Sequence, residues 1–171
     1  MGQLEAVKFA SLLDLDDPVE ELYLQCNEVF YEREALSDLS SEAAVVYLVQ
    51  LFDRELSNGG IDQFFYNSSG FYTFETLTAL QRIGASISAS ILEEGIRLID
   101  LSEAEMKLRM KRFEAVKQKD LKTIFALLDS KFYNTVHSGE TQPPEPQNLW
   151  FLCHKLMKCN QTTTVRAQKA V

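Results

Sequence analysis

The chain has 171 residues, 46% of them hydrophobic, with a formal net charge of -8 and a sequence pI near 4.8. This length and composition fit one domain with a real core, and no apolar run is long enough to cross a membrane as a helix. The acidic balance argues against nucleic acid as a direct ligand, because phosphate binding requires clustered Lys and Arg.

Helical patterns cover most of the chain, and only 7 Gly and 4 Pro interrupt them. We therefore predict an all-α fold, a single compact multi-helix domain of about eight to nine helices. In chain order, the predicted helices are residues 3–13, 18–34, 41–57, 61–67, 74–83, 86–101, 102–119, 120–132 and 148–158. The domain divides into acidic N-terminal helices (1–40), a core (41–160) and a tail (161–171) that we expect to be loosely held.

Local signals mark several helix ends. Residues 17–20 form a D-x-x-E capping box with proline at the first helical position, and residues 102–105 form an S-x-x-E box. Thr73 is expected to cap the fifth helix, and the Pro-rich residues 137–147 are expected to form a loop. A stripe of apolar side chains at helical spacing marks the buried face of the second helix: Val19, Leu22, Cys26, Val29 and Phe30.

The stretch from residue 55 to residue 70 combines two adjacent glycines, several amides and three adjacent aromatic residues. We expect Asn58-Gly59-Gly60 to end the central helix, because glycine adopts a positive φ without steric cost. The short helix after it is expected to carry Phe64-Phe65-Tyr66 inward.

We call residues 55–70 the corner, and two interpretations of it differ in their chemistry. Glu55 and Asp62, next to buried aromatic rings, could act as a general acid and base. Alternatively, Gln63 and Asn67 hydrogen-bond backbone groups that are freed where two helices end. The chain has no nucleophile, phosphate-loop, dinucleotide or metal-binding motif. We therefore favour the structural interpretation and expect no catalytic residue, no cofactor and no metal.

Charge is unevenly distributed along the chain. Residues 1–66 hold 14 acidic and 3 basic side chains, a net charge of -11, whereas residues 101–171 hold 7 acidic and 12 basic ones, a net charge of +5. The basic row at residues 107–122 is expected to pair within its helix or with the acidic half rather than to bind nucleic acid.

A row of carboxylates on the second helix lies opposite its buried stripe, given about 100° of rotation per residue. The row consists of Asp17, Glu21, Glu28 and Glu32, and the carboxylates around it are Asp14, Asp16, Glu20, Glu34, Asp38 and Glu42. Neighbours at i,i+4 lie about 6 Å apart, which is close to the spacing of phosphates along one DNA strand. The alternative is an ordinary solvated helix face.

The corner resembles the hallmark of a bacterial all-helical family, first described as a domain of unknown function, that includes an acidic DNA-mimic protein. The residues that carry the resemblance are Glu55, Leu56, Asn58, Gly59, Gly60, Gln63, Phe64, Phe65, Asn67 and Gly70. A second segment, Leu127-Leu128-Asp129-x-x-Phe132-Tyr133, resembles another part of that family. The resemblance implies a homodimer in the cytoplasm, a location that the sparse, odd set of three cysteines also favours.

Three functional hypotheses follow. The first, which the resemblance implies, is a DNA mimic whose carboxylates occupy the DNA-binding face of a regulator, such as a bacterial helix-turn-helix repressor. The second is an immunity or antitoxin-type protein that neutralises a basic effector enzyme, and the third is a hydrolase that uses the corner carboxylates. We favour the first, with the acidic row as the partner surface and the corner fixing how its helix is presented.

Overall fold

Helices make up most of residues 7–33, 36–137 and 148–165, which are the part of the chain described by this computed structural model. The helices are α1 (Phe9–Leu12), α2 (Pro18–Arg33), α3 (Ser41–Tyr66), α4 (Thr73–Arg82), α5 (Ser86–Ile99), α6 (Glu103–Met106), α7 (Arg109–Gln118), α8 (Lys122–Phe132) and α9 (Leu149–Cys159). Two short strands, β1 (Val7–Lys8) and β2 (Thr164–Val165), pair antiparallel. The predicted all-α single domain is confirmed, and none of the described helices is long and apolar enough to cross a membrane.

α3 forms the centre of the fold, as its nearly continuous apolar sequence predicts. It contacts α2, α4, α7, α8 and α9. Val46, Val49, Phe52 and Leu56 along it are fully buried. A helix that is apolar all round has to be covered on every side to remove its surface from water, and the neighbouring helices do this.

The two ends of the described chain meet in a way that the sequence did not predict. A helix was expected over residues 3–13, but Val7 and Lys8 form β1, and only α1 is helical. The tail was expected to be loosely held, yet β2 pairs with β1, and the backbone N–H of Phe9 donates to the carbonyl of Thr163 at 3.0 Å. Residues 1–6 and 166–171 lie outside the described residues.

The predicted caps are confirmed only in part. The backbone N–H of Glu20 donates to Asp17 at 3.0 Å, so Asp17 caps α2, but the Glu20 carboxylate pairs with Arg54 instead of completing a capping box. Thr73 is the first residue of α4 rather than its cap, and its hydroxyl donates to the carbonyl of Gly70 at 2.7 Å. The sequence pattern did not indicate the outcome at Glu20, because its partner Arg54 lies 34 residues away in the chain.

The predicted helix over residues 102–119 is divided into α6 and α7. The capping box between Ser102 and Glu105 is present at its start. Leu108 then adopts an extended conformation between the two helices. This break leaves the carbonyl of Met106 without a helical partner, and the Arg112 guanidinium donates to it.

Gly95 lies in the middle of α5, where glycine lowers intrinsic helix stability by roughly 1 kcal/mol relative to alanine. The structure gives a packing reason for it. A Cβ at this position would lie 2.8 Å from Cδ1 of Ile61 and 2.9 Å from Cε2 of Phe65. Glycine therefore lets α5 approach the second part of α3 more closely than any other residue would.

Candidate functional site

The corner is a sharp change of direction inside α3 at Gly60. Helical geometry continues through Asn58 and Gly59, two residues beyond the predicted end at residue 57, and stops at Gly60, where φ is 78° and ψ is -173°. It resumes at Ile61 and carries Phe64 and Phe65 into the core, where both are fully buried. The predicted inward position of Tyr66 is wrong, because this side chain is 44% exposed. The predicted break is therefore confirmed, with Gly60 as the residue that makes it.

α8 and Tyr133, the residue that directly follows it, supply the groups that satisfy the broken backbone. The N–H of Ile61 donates to Oδ1 of Asp129 at 2.8 Å. The hydroxyl of Tyr133 lies 3.1 Å from the carbonyl of Leu56 and 2.9 Å from that of Ser57, and it serves as their donor. Asp129 and Tyr133 belong to the second sequence segment that carried the family resemblance, so the two segments meet at this kink.

Burial raises the pKa of Asp129, the hydrogen bond from Ile61 opposes this, and the charge of Asp62 raises the pKa further. The folded protein therefore binds this proton more tightly than the unfolded chain does. The stabilising contribution is complete below the ordinary carboxyl pKa near 3.9 and is lost as the pH rises through the raised pKa.

We therefore expect Asp129→Asn, which keeps an acceptor oxygen for Ile61, to lose stability relative to the unsubstituted protein as the pH falls from about 7 to 4. The reason is that only the unsubstituted protein gains a proton at this position. Urea denaturation of both proteins across this pH range measures the difference in free energy of unfolding. A constant or opposite difference would contradict the expectation.

Arg112 binds backbone carbonyls at the other end of the corner. Its side chain is only 1% exposed. Nε donates to the carbonyl of Phe65 at 2.6 Å, Nη2 donates to that of Asn67 at 2.8 Å, and Nη1 donates to that of Met106. Burial, and then the charge of Arg109, lower the pKa of this guanidinium. A cation at the C-terminal carbonyls of α3 is also favoured by the helix dipole.

A carboxylate, Glu55, organises the polar side of the corner. Oε2 accepts hydrogen bonds from Nε2 of Gln63 at 2.7 Å and Nδ2 of Asn67 at 2.9 Å, and Oε1 accepts one from the hydroxyl of Ser69 at 2.8 Å. The prediction that the two amides bind freed backbone groups is therefore wrong in detail. The amides instead bind Glu55, which precedes Gly60 in α3. The side chains that bind the freed backbone groups are those of Asp129, Tyr133 and Arg112.

The structure does not bring the proposed acid and base together. Glu55 lines an open cleft of about 1090 Å³ between α2, α3, the 3-10 turn Ser68–Tyr72 and the α6–α7 connection. Asp62 is exposed and lines a second cleft, of about 680 Å³, next to α7 and α8. Within the described ranges, no group of three His, Cys, Asp or Glu side chains could hold a metal ion.

The basic row has three kinds of partner. Lys107 lies 3.7 Å from Glu103, the intrahelical pairing that was predicted. Lys119 instead donates to the carbonyls of Leu98 and Ile99, at 3.3 and 2.9 Å, at the end of α5. Lys119 also lies 3.5 Å from the carboxylate of Asp100, which follows α5. Together with the buried Arg112, it shows that part of this row binds carbonyls at helix ends, as expected for cations near C-terminal carbonyls.

The predicted acidic surface is exposed at its N-terminal end. Asp14 and Asp16, in the turn before α2, and Glu28, on α2, are exposed. Asp17 is held by two donors, the backbone N–H of Glu20 at 3.0 Å and the indole Nε1 of Trp150 on α9 at 2.8 Å. Asp14, Asp16 and Asp17 therefore lie around the start of α2, and Glu28 lies about three turns further along the same helix.

The remaining predicted carboxylates differ in their surroundings. Glu20 pairs with Arg54, and Glu21 accepts a hydrogen bond from Nε2 of Gln25 at 2.9 Å. Glu42 lies at the start of α3 and pairs with Arg82 at 2.9 Å. The side chains of Glu32 and Asp38, and all of Glu34, fall outside the described part of the chain.

Sequence reasoning missed the residues that reach the corner from far along the chain. Arg112 was placed in a basic row and gave no signal of burial. Asp129 and Tyr133 had a signal, because they stand in the second segment of the family resemblance, but nothing in their spacing indicated Gly60 as their contact. Ser69 follows the predicted short helix, and nothing in the sequence indicated its hydrogen bond to Glu55.

The fold and surface described above define a class, an all-helical domain with a central helix kinked at a glycine and an acidic N-terminal helix. The family model of DMP19-like proteins matches residues 37–152, more than half of the chain, and the chain belongs to this family. Comparisons with curated proteins and with solved structures give no match. The family match contains the whole corner and begins after α2.

Proposed function

We propose that this protein is a DNA mimic that binds the DNA-binding face of a DNA-binding protein, such as a helix-turn-helix repressor, and blocks its binding to DNA. The observation that carries the proposal is the set of exposed carboxylates before and on α2, Asp14, Asp16, Asp17 and Glu28. Membership of the DMP19-like family supports it. The α2 carboxylates lie outside the matched residues, so the surface needs its own test.

A mimic needs carboxylates at fixed positions, because phosphates on DNA are fixed. Asp17 meets this condition, since an indole and a backbone N–H both hold it. α2 itself is fixed to α3 by Tyr23, whose ring stacks on that of Tyr47 with centroids 5.5 Å apart. Arg54 lies 4.3 Å above the Tyr23 ring centroid and pairs with Glu20, which orders a further carboxylate but reduces its charge.

The long-range field supports the same proposal. The first 66 residues have a net charge of -11, so a basic partner is attracted towards this half of the molecule. Such steering weakens as salt screens the charges. A complex formed this way should therefore be displaced by duplex DNA and should weaken steeply with ionic strength.

The partner is first isolated with the tagged protein from a lysate of the source, with elution by duplex DNA and by salt. The purified partner is then tested for binding to its own DNA with and without this protein. A DNA-binding partner released by duplex DNA, and inhibited by this protein, supports the proposal. An immunity or antitoxin-type protein would instead inhibit an effector enzyme and leave binding to operator DNA unchanged.

The combined variant Asp14→Asn, Asp16→Asn and Glu28→Gln is expected to lower affinity for the partner by about tenfold or more, with a smaller dependence on salt. These side chains are exposed and have no recorded hydrogen bond within the described residues, so the fold should be retained. Isothermal titration calorimetry at two salt concentrations measures both effects.

The matched control is Asp62→Asn, Glu114→Gln and Asp120→Asn. These three carboxylates are also exposed, and their neutralisation changes the net charge by the same amount. They lie near the end of α3, on α7 and in the turn after α7, and none of them is on α2 or in the turn before it. Equal loss of affinity in both variants would show that only total charge matters and would overturn the assignment of the surface.

A further inference from the structure

The larger cleft is cationic although the protein is acidic. Its charged lining residues are one carboxylate, Glu55, and three cations, Lys107, Arg109 and Arg112. The whole chain, in contrast, has a net charge of -8. The acidic surface proposed above does not explain a concentration of positive charge here, and the partner of Arg112 in each of its recorded hydrogen bonds is a neutral carbonyl.

Arg109 is the cation best placed to bind a ligand. Its Nε donates to the carbonyl of Tyr66 at 2.9 Å, and its guanidinium carbon lies 4.4 Å from the centroid of the Tyr66 ring. These two contacts fix the guanidinium plane on the edge of the cleft. The structure records no hydrogen bond from Nη1 or Nη2 to the described residues, so these two groups keep donors for a ligand in the cleft.

Lys107 adds a second charge at the same edge. Its Nζ lies 3.9 Å from Glu75 and 3.7 Å from Glu103, distances longer than a direct hydrogen bond, and 5.6 Å from the centroid of the Phe71 ring. A guanidinium fork next to an ammonium group is the arrangement that suits a phosphate group, because the fork binds two oxygens and the ammonium adds a point charge.

The rest of the lining suits the organic part of such a ligand. Phe71 is 40% exposed, and its ring meets that of Tyr72 with centroids 4.9 Å apart. Both rings line the cleft with Glu55. Glu55 accepts three hydrogen bonds from the protein, whereas an ionised carboxylate has about four acceptor positions. One acceptor position therefore remains for an N–H group.

We propose that this cleft binds a small phosphate-bearing molecule with a planar ring that carries N–H donors, the chemistry of a mononucleotide. Arg109 and Lys107 bind the phosphate, Phe71 and Tyr72 contact the ring, and Glu55 accepts from its N–H group. The site is independent of the proposed partner surface, because none of the three carboxylates neutralised to test that surface lines the cleft.

The test is calorimetric titration of the full chain with four nucleoside monophosphates, adenosine and inorganic phosphate as the probes. At least one monophosphate is expected to bind about tenfold more tightly than adenosine or inorganic phosphate. Adenosine lacks the phosphate that the two cations bind, and inorganic phosphate lacks the ring. Failure of all four monophosphates at millimolar concentration would overturn the proposal. Equal binding of the monophosphate and inorganic phosphate would also overturn it.

Variants then locate the site. Arg109→Gln and Lys107→Gln are each expected to weaken the bound monophosphate by about tenfold, the effect of losing one charge-assisted contact. Phe71→Ala should weaken the monophosphate but leave inorganic phosphate unchanged. The matched control is Arg97→Gln, an exposed arginine on α5 that pairs with Glu94 and does not line the cleft.

Circular dichroism and thermal unfolding establish that each variant is folded before titration. The Arg109, Lys107 and Phe71 side chains lie at the edge of the cleft, so folded variants are expected. Weakening by Arg97→Gln to the same degree would show a non-specific charge effect and would contradict the site. Unchanged binding by Arg109→Gln would contradict it as well.

Discussion

Gly60→Ala is expected to lower the free energy of unfolding by about 3 kcal/mol or more. Two effects add here. The backbone has φ 78° and ψ -173°, a region that only glycine adopts readily. A Cβ would also lie 2.6 Å from Cγ of Asp129, which must stay in place to accept from the N–H of Ile61. Urea denaturation followed by circular dichroism measures the loss.

Gly84→Ala provides the control. Gly84 also has a positive φ, of 79°, and ends the turn after α4, but a Cβ there would meet no atom within 4 Å. Its replacement should cost only the backbone strain, on the order of 1 kcal/mol. Equal losses at the two positions would mean that the contact with Asp129 contributes nothing, contrary to the role assigned to it.

Arg112→Met is the second substitution with a large expected effect, a loss of about 3 kcal/mol in the free energy of unfolding. Methionine fills a similar volume without a charge, so the loss reports mainly on the three buried carbonyls that Arg112 satisfies. A buried acceptor left without a donor costs about 1–3 kcal/mol, and removal of a buried charge offsets part of the sum.

The matched variant is Arg109→Met, three residues earlier on α7. Arg109 is exposed and donates to one carbonyl, that of Tyr66. Its replacement should cost less than about 1 kcal/mol, since water can reach the carbonyl. Similar stability of the two variants would show that the buried hydrogen bonds of Arg112 do not stabilise the corner.

Gly70 is linked to this network by its lack of a side chain. A Cβ at Gly70 would lie 2.6 Å from Nε of Arg112 and 2.8 Å from the carbonyl oxygen of Phe65. The absence of a side chain at Gly70 therefore leaves room for the hydrogen bond from Nε of Arg112 to the carbonyl of Phe65. Gly60 and Gly70 have the same role at opposite ends of the short helix, because each admits a long-range polar contact to the backbone of α3.

The sequence led us to expect that the corner fixes how α2 is presented to a partner. The contacts that attach α2 to the rest of the protein differ from this expectation. α2 is attached through Tyr23 to Tyr47, through Glu20 to Arg54 and through Asp17 to Trp150. The α3 residues among these precede Gly60, in the straight part of the helix. We therefore expect the corner to influence the acidic surface through the stability of the whole domain.

Features that depend on neighbours along the chain were predictable. The Asp17 cap and the capping box between Ser102 and Glu105 are present because each uses contacts within three residues. The break near Gly60 follows from the conformational freedom of glycine itself. The buried stripe of α2 follows from helical periodicity alone, and its members Val19 and Leu22 are fully buried. Local rules reach this far because a helix repeats every 3.6 residues.

Features that depend on distant partners were decided only by the tertiary structure. Arg112 and Phe65 are 47 residues apart in the chain, and Ile61 and Asp129 are 68 apart. From sequence, Arg112 is a basic residue in a charged helix and Asp129 is a carboxylate that follows several apolar residues. Either side chain could be exposed or buried in the fold. Which one is buried depends on how α7 and α8 pack against the kink, since burial of a charged group costs less where it hydrogen-bonds backbone groups that lack a partner.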